Sequence, residues 1–225
     1  MVLCPEVGIL KHMKTGSTLI DHTTSSPTIA EDIETQAKAR KIHSVDAPVS
    51  GGDIGAQAGN LIIMTGGTDE AVESARPLLD YYSQEVAHMG GAGAGQHTKL
   101  ANQMMNAFNM AGVCESLLYA EKAGLNHEKL ITLLSKGGAK SWWLENCGPN
   151  MIRRDFTPGF QVELFVKDLG MVLDECRRMN LAVPGTALIF QLYQTLMAQG
   201  KGRDGIHVLL TSLEEMNRTT VRTYQ

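Results

Sequence analysis

The chain has 225 residues, of which 43% are hydrophobic and 20% are charged, and its formal net charge is −4. This balance is typical of a folded protein of one or two domains, and the lack of a Lys/Arg cluster argues against nucleic acid as the main partner. No apolar run approaches the length of a membrane span, and we expect no secretory signal. The four cysteines lack metal or redox spacing, so we expect buried thiols in a reducing compartment.

Residues 1–92 alternate short apolar strands with helices and turns, which is the pattern of an α/β domain. Ser26 is a good N-cap and Pro27 suits the first helical position, so they predict the start of a helix. Its apolar stripe is predicted at Ile29, Ile33 and Ala37. The predicted strands are Thr18–Asp21, which we expect to be buried, and then Ile42–Asp46, Leu61–Met64 and Glu85–Met89.

Residues 93–225 contain no strand pattern and predict an all-helical domain. A long helix is expected through Leu100–Leu118, ending near Gly124, and Trp142 and Trp143 are expected to pack between helices. Further helical patterns cover residues 130–134, 164–179, 188–197 and 206–216. The expected fold is α/β followed by all-α, with a partial Rossmann-like sheet domain over 1–92 and a helical domain over 93–225.

A glycine-rich segment, residues 90–95, precedes the long helix and invites comparison with a dinucleotide-binding turn. That turn requires a small residue where Thr98 stands, and an acidic residue at the end of a following strand. Here a helix follows instead. We therefore interpret the glycines as a tight hinge that lets the chain enter the helix close to neighbouring backbone.

Lys99 lies near the start of the long helix and shares a face with Asn102 and Gln103 through spacings of three and four residues. The helix dipole and burial would both lower the pKa of this lysine towards the range that is useful for acid–base chemistry. The alternative is a solvated surface lysine, as most lysines are.

Two further segments place small polar groups at predicted strand ends. Ser50-Gly51-Gly52 offers a hydroxyl and backbone N–H groups that can hold a carboxylate, although it can also be a simple strand-ending turn. The segment Thr23–Ser26 closes the first strand at the end where ligands gather in α/β sheets. Helix capping accounts for Ser26 but leaves Thr24 without a structural role.

Lys167 and Asp168 are adjacent within a predicted helix. Neighbouring positions on a helix face different directions, so we expect these two side chains to point apart and to be solvated. The seven histidines show no metal-ligand spacing and receive no role.

Five motifs, in order and at family-like spacing, resemble those of the β-hydroxyacid dehydrogenases. This family includes 3-hydroxyisobutyrate dehydrogenase, tartronate semialdehyde (2-hydroxy-3-oxopropionate) reductase and, more distantly, 6-phosphogluconate dehydrogenase. The motifs are Asp46–Gly52, residues 59–67, Gly93–Asn102, Phe156–Phe160 and Lys167–Leu169.

The resemblance implies an oxidoreductase that transfers a hydride between NAD or NADP and a small 3-hydroxy acid or semialdehyde. Lys99 would be the general acid/base, and Thr24 and Lys167 would contact the cofactor. The implied substrate-binding residues are Ser50, Gly51, Gly52, Asn102 and Gln103. Some members carry Asn-Asn where this chain has Asn102-Gln103. The resemblance also implies a homo-oligomer formed through the helical domain, and we expect a cytoplasmic or organellar location.

Family members open with a GxGxxG turn that binds the cofactor pyrophosphate, and this chain shows no such turn before Thr18. The resemblance therefore implies that the first mononucleotide-binding half is absent. We expect the strand Thr18–Asp21 to lack a neighbour, which would lower stability or favour self-association. The alternative function is a catalytically incompetent fragment acting as a dimerising or anion-binding module, because the pyrophosphate contributes much of the binding energy.

Overall fold

A computed structural model describes residues 2, 3 and 8–222 of the chain. The chain forms two compact units, Met1–Asn102 and Gln103–Gln225. The first is an α/β unit and the second is all-helical, as the sequence predicts. The division falls inside a long helix that begins at Ala94, whereas the sequence predicts a domain boundary between residues 92 and 93.

The first unit contains a five-stranded mixed sheet. Its strands are β1 (Thr18–Asp21), β2 (His43–Asp46), β3 (Val49–Ser50), β4 (Leu61–Gly66) and β5 (Ser83–Gly90). Its helices are α1 (Ile9–His12), α2 (Pro27–Ala39), α3 (Gly52–Ala58) and α4 (Asp69–Leu79). β1 runs parallel to β2, and β4 runs parallel to β5. β4 pairs antiparallel with both β2 and β3.

β1 occupies one end of this sheet and, among the described strands, pairs with β2 alone. All four of its residues are half-buried, so the prediction of a buried strand is wrong in this respect. The reason is its position, since a strand at a sheet edge keeps one row of backbone groups and part of each side chain accessible.

The start of α2 confirms the predicted cap. The Ser26 hydroxyl accepts a hydrogen bond of 3.2 Å from the Ile29 amide, and Pro27 occupies the first turn. The predicted apolar stripe is only partly right, because Ile33 and Ala37 are buried but the Ile29 side chain is exposed. Ala30 takes the inward position instead, which matches the spacing of three and four residues along one helix face.

The segment after β2 differs from the predicted strand and turn. Val49 and Ser50 form the short strand β3, opposite Ile63 and Ile62 of β4. The helix α3, which the sequence reading missed, follows at once. The chain enters it through Gly51, whose φ of +127° is unfavourable for a residue with a side chain.

The second unit is built from helices that confirm the predicted patterns and add one. They are α5 (Ala94–Lys122, which starts in the first unit), α6 (His127–Leu134), α7 (Trp142–Ile152), α8 (Val162–Arg178), α9 (Pro184–Ala198), a short 3₁₀ helix (Ile206–Val208) and α10 (Leu209–Asn217). α7 was not predicted, and Trp142 and Trp143 begin it rather than lying between helices. The core includes the fully buried side chains of Phe165, Leu169, Tyr193, Leu196 and Leu209.

The described cysteines are reduced and buried, as expected. They are Cys114, Cys147 and Cys176, and Cys4 lies outside the described residues. Burial raises the pKa of the Cys147 thiol to about 11 and that of Cys114 further. Within residues 2, 3 and 8–222, no cluster of metal-ligating side chains occurs. No helix of the described chain has both the length and the apolar character needed to cross a bilayer.

His207 is expected to make the stability of the protein depend on pH. Its ring is buried and Nε2 donates to the Asp155 carbonyl oxygen over 2.9 Å. Burial lowers the pKa of His207, although the carboxylates of Asp155 and Asp204 oppose this. At this residue the unfolded chain therefore binds more protons than the folded one as the pH falls through about 6.5, so the contribution of His207 to the free energy of unfolding falls as the pH is lowered.

We expect His207→Gln, which retains an N–H donor, to flatten this dependence. Urea unfolding of the wild type and of His207→Gln, between pH of about 5 and about 7.5, measures how the free energy of unfolding depends on pH in each protein. An identical pH slope in the two proteins would show that His207 is not the titrating group.

Candidate functional site

Lys99 is a buried cation of the first unit. It lies in the second turn of α5, is 9% exposed, and its Nζ donates a hydrogen bond of 2.8 Å to the Val49 carbonyl oxygen. Val49 immediately precedes Ser50 in β3, so the ammonium is held beside the predicted anion-binding segment. The alternative of a solvated surface lysine is therefore wrong.

The segment Ser50–Gly52 links β3 to α3. Ser50 is half-buried, whereas Gly51 and Gly52 are exposed and both have positive φ. A side chain at Gly51 would also press on Leu61 Cδ2 at 3.1 Å. The two glycines are therefore accessible at the end of β3, with Ser50 half-buried before them.

The start of α5 is fixed by a buried carboxylate. Asp46, at the end of β2, accepts hydrogen bonds of 2.9 Å from the Gly93 amide at Oδ1 and from the Gln96 amide at Oδ2. Burial raises the pKa of Asp46, and the backbone N–H donors oppose that shift. These bonds satisfy N–H groups that a helix start leaves without intrahelical partners. Asp46 was named from the sequence only as part of a motif and was assigned no role of its own. A charged residue at the end of an apolar strand was the signal that could have indicated one.

Gly95 confirms the predicted close approach of backbone. A Cβ atom there would overlap the Met64 carbonyl oxygen and lie 2.7 Å from the Asp46 carbonyl oxygen. Only glycine lets the helix start this close to the ends of β2 and β4.

Gln96 ties the Thr23–Ser25 segment to the same helix. Its side chain is fully buried, with Nε2 donating to the Thr23 carbonyl oxygen over 2.8 Å and Oε1 accepting from the Ser25 amide over 3.0 Å. Thr24, half-buried, lies between these two bonds. The sequence reading missed Gln96, because nothing in its local pattern distinguishes it from a surface glutamine.

A polar network runs through the second unit. Gln103 is buried; its Nε2 donates to Asp168 Oδ2 over 2.6 Å, and its Oε1 accepts from Asn106 Nδ2 over 2.9 Å. Trp143 Nε1 in turn donates to Asn106 Oδ1 over 3.0 Å. The side-chain nitrogen and the side-chain oxygen of Gln103 are therefore both hydrogen-bonded within this unit.

The expectation that Lys167 and Asp168 point apart and are both solvated is wrong, except that Lys167 is exposed. Asp168 is buried, and Lys167 Nζ lies 3.1 Å from Asp168 Oδ1 while the lysine side chain remains 49% exposed. The long lysine stem bends back towards its neighbour, because the buried carboxylate offers the cation a partner. The adjacent spacing describes where the Cβ atoms point and does not limit where a flexible side chain ends.

Comparison with known proteins shows the family of the chain. Residues 93–213 match the family described as NAD-binding of NADP-dependent 3-hydroxyisobutyrate dehydrogenase. Residues 1–91 match the NAD binding domain of 6-phosphogluconate dehydrogenase. The chain is 38% identical over 220 residues to the 2-hydroxy-3-oxopropionate reductase of Escherichia coli, covering 96% of this chain and 74% of that protein. The chain belongs to the β-hydroxyacid dehydrogenase family.

Other β-hydroxyacid dehydrogenase relatives agree. A probable 3-hydroxyisobutyrate dehydrogenase-like protein of Arabidopsis thaliana, named mitochondrial, is 45% identical over 223 residues, covering 99% of this chain and 66% of that protein. The structure of Mycobacterium tuberculosis 3-hydroxyisobutyrate dehydrogenase with L-serine superposes with a TM-score of 0.84 at 29% identity, covering 91% of this chain and 72% of that one. This β-hydroxyacid dehydrogenase chain thus spans about two thirds to three quarters of its relatives' length, and both the resemblance and the predicted fold class are confirmed.

Proposed function

We propose that this chain catalyses NAD(P)-dependent interconversion of a small 3-hydroxy acid and its semialdehyde. The observation that carries the proposal is the buried Lys99 ammonium, held 2.8 Å from the Val49 carbonyl beside Ser50. The names of the relatives, which include 3-hydroxyisobutyrate dehydrogenase and 2-hydroxy-3-oxopropionate reductase, support the reaction class.

Lys99 has the chemistry of a general acid/base for this reaction. In reduction its ammonium donates a proton to the oxygen that becomes the hydroxyl, and in oxidation the neutral amine accepts that proton. Its bond to the Val49 carbonyl directs Nζ, and its burial reduces competition from water. A lysine serves both directions because it can be cationic beside a developing alkoxide and neutral as a base.

The substrate carboxylate is proposed to bind at Ser50, Gly51 and Gly52, through the serine hydroxyl and backbone N–H groups. Asn102, three residues after Lys99 on the same helix, is proposed to contact the substrate. Gln103 is proposed to position Asp168 and Asn106 and not to bind the substrate itself, because both polar atoms of its amide already bond to these two residues.

Thr24 and Lys167 are proposed to contact the nicotinamide cofactor. Their hydroxyl and ammonium groups suit the amide and anionic oxygens of NAD or NADP, and the exposed Lys167 amine is oriented by the buried Asp168. A bound nicotinamide would supply the hydride donor or acceptor. The residues of this chain bind, orient and exchange protons around it.

Cofactor titration and a substrate screen test the proposal. We expect NADH or NADPH to quench tryptophan fluorescence saturably, and one of 3-hydroxyisobutyrate, tartronate semialdehyde or succinic semialdehyde to be turned over. Lys167→Met should raise the cofactor Kd about tenfold, since a charge-assisted contact is lost. Its melting temperature should also fall, because the buried Asp168 carboxylate loses its ion-pair partner.

Lys129→Met, a matched loss of an exposed lysine on α6, should leave the cofactor Kd unchanged. Absence of saturable binding by both cofactors, together with no turnover of any screened substrate, would contradict the proposed function.

Assembly and location stay predictions. We expect a homo-oligomer formed through the helical unit, which the exposed apolar side chains of Tyr119, Leu133 and Leu188 support. We also expect the cytoplasm or an organelle, and a relative named mitochondrial is compatible with the latter. No observation favours the alternative of a non-catalytic module.

A further inference from the structure

Both polar atoms of the buried Gln96 side chain are hydrogen-bonded. Its Nε2 donates to the Thr23 carbonyl oxygen at 2.8 Å and its Oε1 accepts from the Ser25 amide at 3.0 Å, with 0% of the residue exposed. Burying an amide is unfavourable unless such bonds form. The two hydrogen bonds therefore hold the backbone in place on both sides of Thr24.

The backbone of Gln96 is held as firmly as its side chain. Its amide donates to Asp46 Oδ2 at 2.9 Å, and the Gly93 amide donates to Asp46 Oδ1 at the same distance. The first turn of α5 is therefore fastened to the end of β2. Because Asp46 is itself buried, water does not compete effectively for these bonds.

Lys99 follows Gln96 by three residues and so lies one turn further along α5. Its amine donates to the Val49 carbonyl oxygen at 2.8 Å. The first two turns of α5 thus carry both the glutamine that bonds to the backbone around Thr24 and the lysine proposed to transfer the proton.

We propose that Gln96 is a positioning residue that sets the place of Thr24 relative to Lys99. This role rests on the proposed function, in which Thr24 contacts the cofactor and Lys99 exchanges the substrate proton. Such reactions depend on placing the reacting groups to within a fraction of an ångström, so a slack Thr23–Ser25 segment would weaken cofactor binding and slow turnover.

Amide hydrogen exchange of the cofactor-free protein tests whether Gln96 holds the Thr23–Ser25 backbone. Gln96→Met keeps the length and burial of the side chain but removes the acceptor for the Ser25 amide. We expect the Ser25 amide to exchange at least about tenfold faster in this variant than in the wild type. Unchanged Ser25 exchange would overturn the proposal.

Gln96→Glu separates positioning from simple packing. An ionised carboxylate at this position still accepts from the Ser25 amide but repels the Thr23 carbonyl oxygen, whereas a protonated carboxyl can donate to it. We expect the NADPH Kd of this variant to be about tenfold above the wild type at neutral pH and to approach it as the pH is lowered. If Gln96 acted only through packing, the NADPH Kd of Gln96→Glu would not recover at low pH. A Kd that stays raised at low pH would therefore overturn the proposal.

Gln36 offers the matched control, because it is an exposed glutamine of α2 in the same unit. Gln36→Met and Gln36→Glu should leave Ser25 exchange and NADPH binding unchanged. Faster Ser25 exchange in Gln96→Met without any loss of NADPH affinity would overturn the functional role. A wild-type chain that binds neither cofactor would instead overturn the proposed function, and this role of Gln96 with it.

Discussion

Replacing Lys99 with methionine is expected to lower kcat by about a thousandfold, because general acid–base catalysis contributes on that order. Methionine matches the length of the lysine stem and tolerates burial, so the fold should persist. Cofactor Kd should change little, since the proposed contacts of Lys99 are with substrate. Steady-state NAD(P)H absorbance measures kcat, and fluorescence titration measures cofactor binding.

Two further variants sharpen this result. Lys99→Arg should not rescue turnover, because a guanidinium does not deprotonate and cannot serve as a base. Lys38→Met removes an exposed lysine from the last turn of α2 and should leave kcat unchanged. Retention of more than about a tenth of wild-type kcat by Lys99→Met would rule out the lysine as the general acid/base.

Replacing Gly95 with alanine is expected to lower the free energy of unfolding by about 3 kcal/mol and to abolish turnover. The added methyl would overlap the Met64 carbonyl oxygen and lie 2.7 Å from the Asp46 carbonyl oxygen and 2.8 Å from Asp46 Oδ2. Relief requires α5 to move away from the sheet, because two of these atoms belong to backbone. That movement would break the Asp46 bonds to the helix start and displace Lys99.

Gly91 offers the matched control for this substitution. An alanine Cβ there meets no atom within 4 Å, so Gly91→Ala should change the free energy of unfolding by less than about 0.5 kcal/mol. Urea unfolding followed by circular dichroism compares the two variants. Equal stability of the two would show that the close approach at Gly95 is not limiting.

Local patterns were sufficient for most of the secondary structure. The cap at Ser26 and the proline after it predicted the start of α2, because both act on backbone within one turn. α7 escaped prediction since Gly148 and Pro149 interrupt its pattern. The inward face of α2 was misjudged at Ile29, because spacing alone does not say which of two neighbouring stripes meets the sheet.

The candidate site was likewise predicted in part from motifs and completed only by the structure. Motifs indicated Lys99 and Ser50 together, and the structure adds the Val49 carbonyl that joins the lysine to that strand. It also adds Gln96 and the contact between Lys167 and Asp168, neither of which the spacing suggested. Each missed contact involves a polar side chain whose burial depends on the surrounding packing.

The sequence by itself determined most of the order of strands and helices, the end signals of α2 and the family, because these follow from neighbouring residues and short motifs. Only the tertiary structure decided which polar groups lose water and what they bond. The partners come from distant positions, 47 residues apart for Asp46 and Gly93 and 65 for Gln103 and Asp168. A hydrogen bond across such a separation exists only after the chain has folded, so no local pattern can encode it.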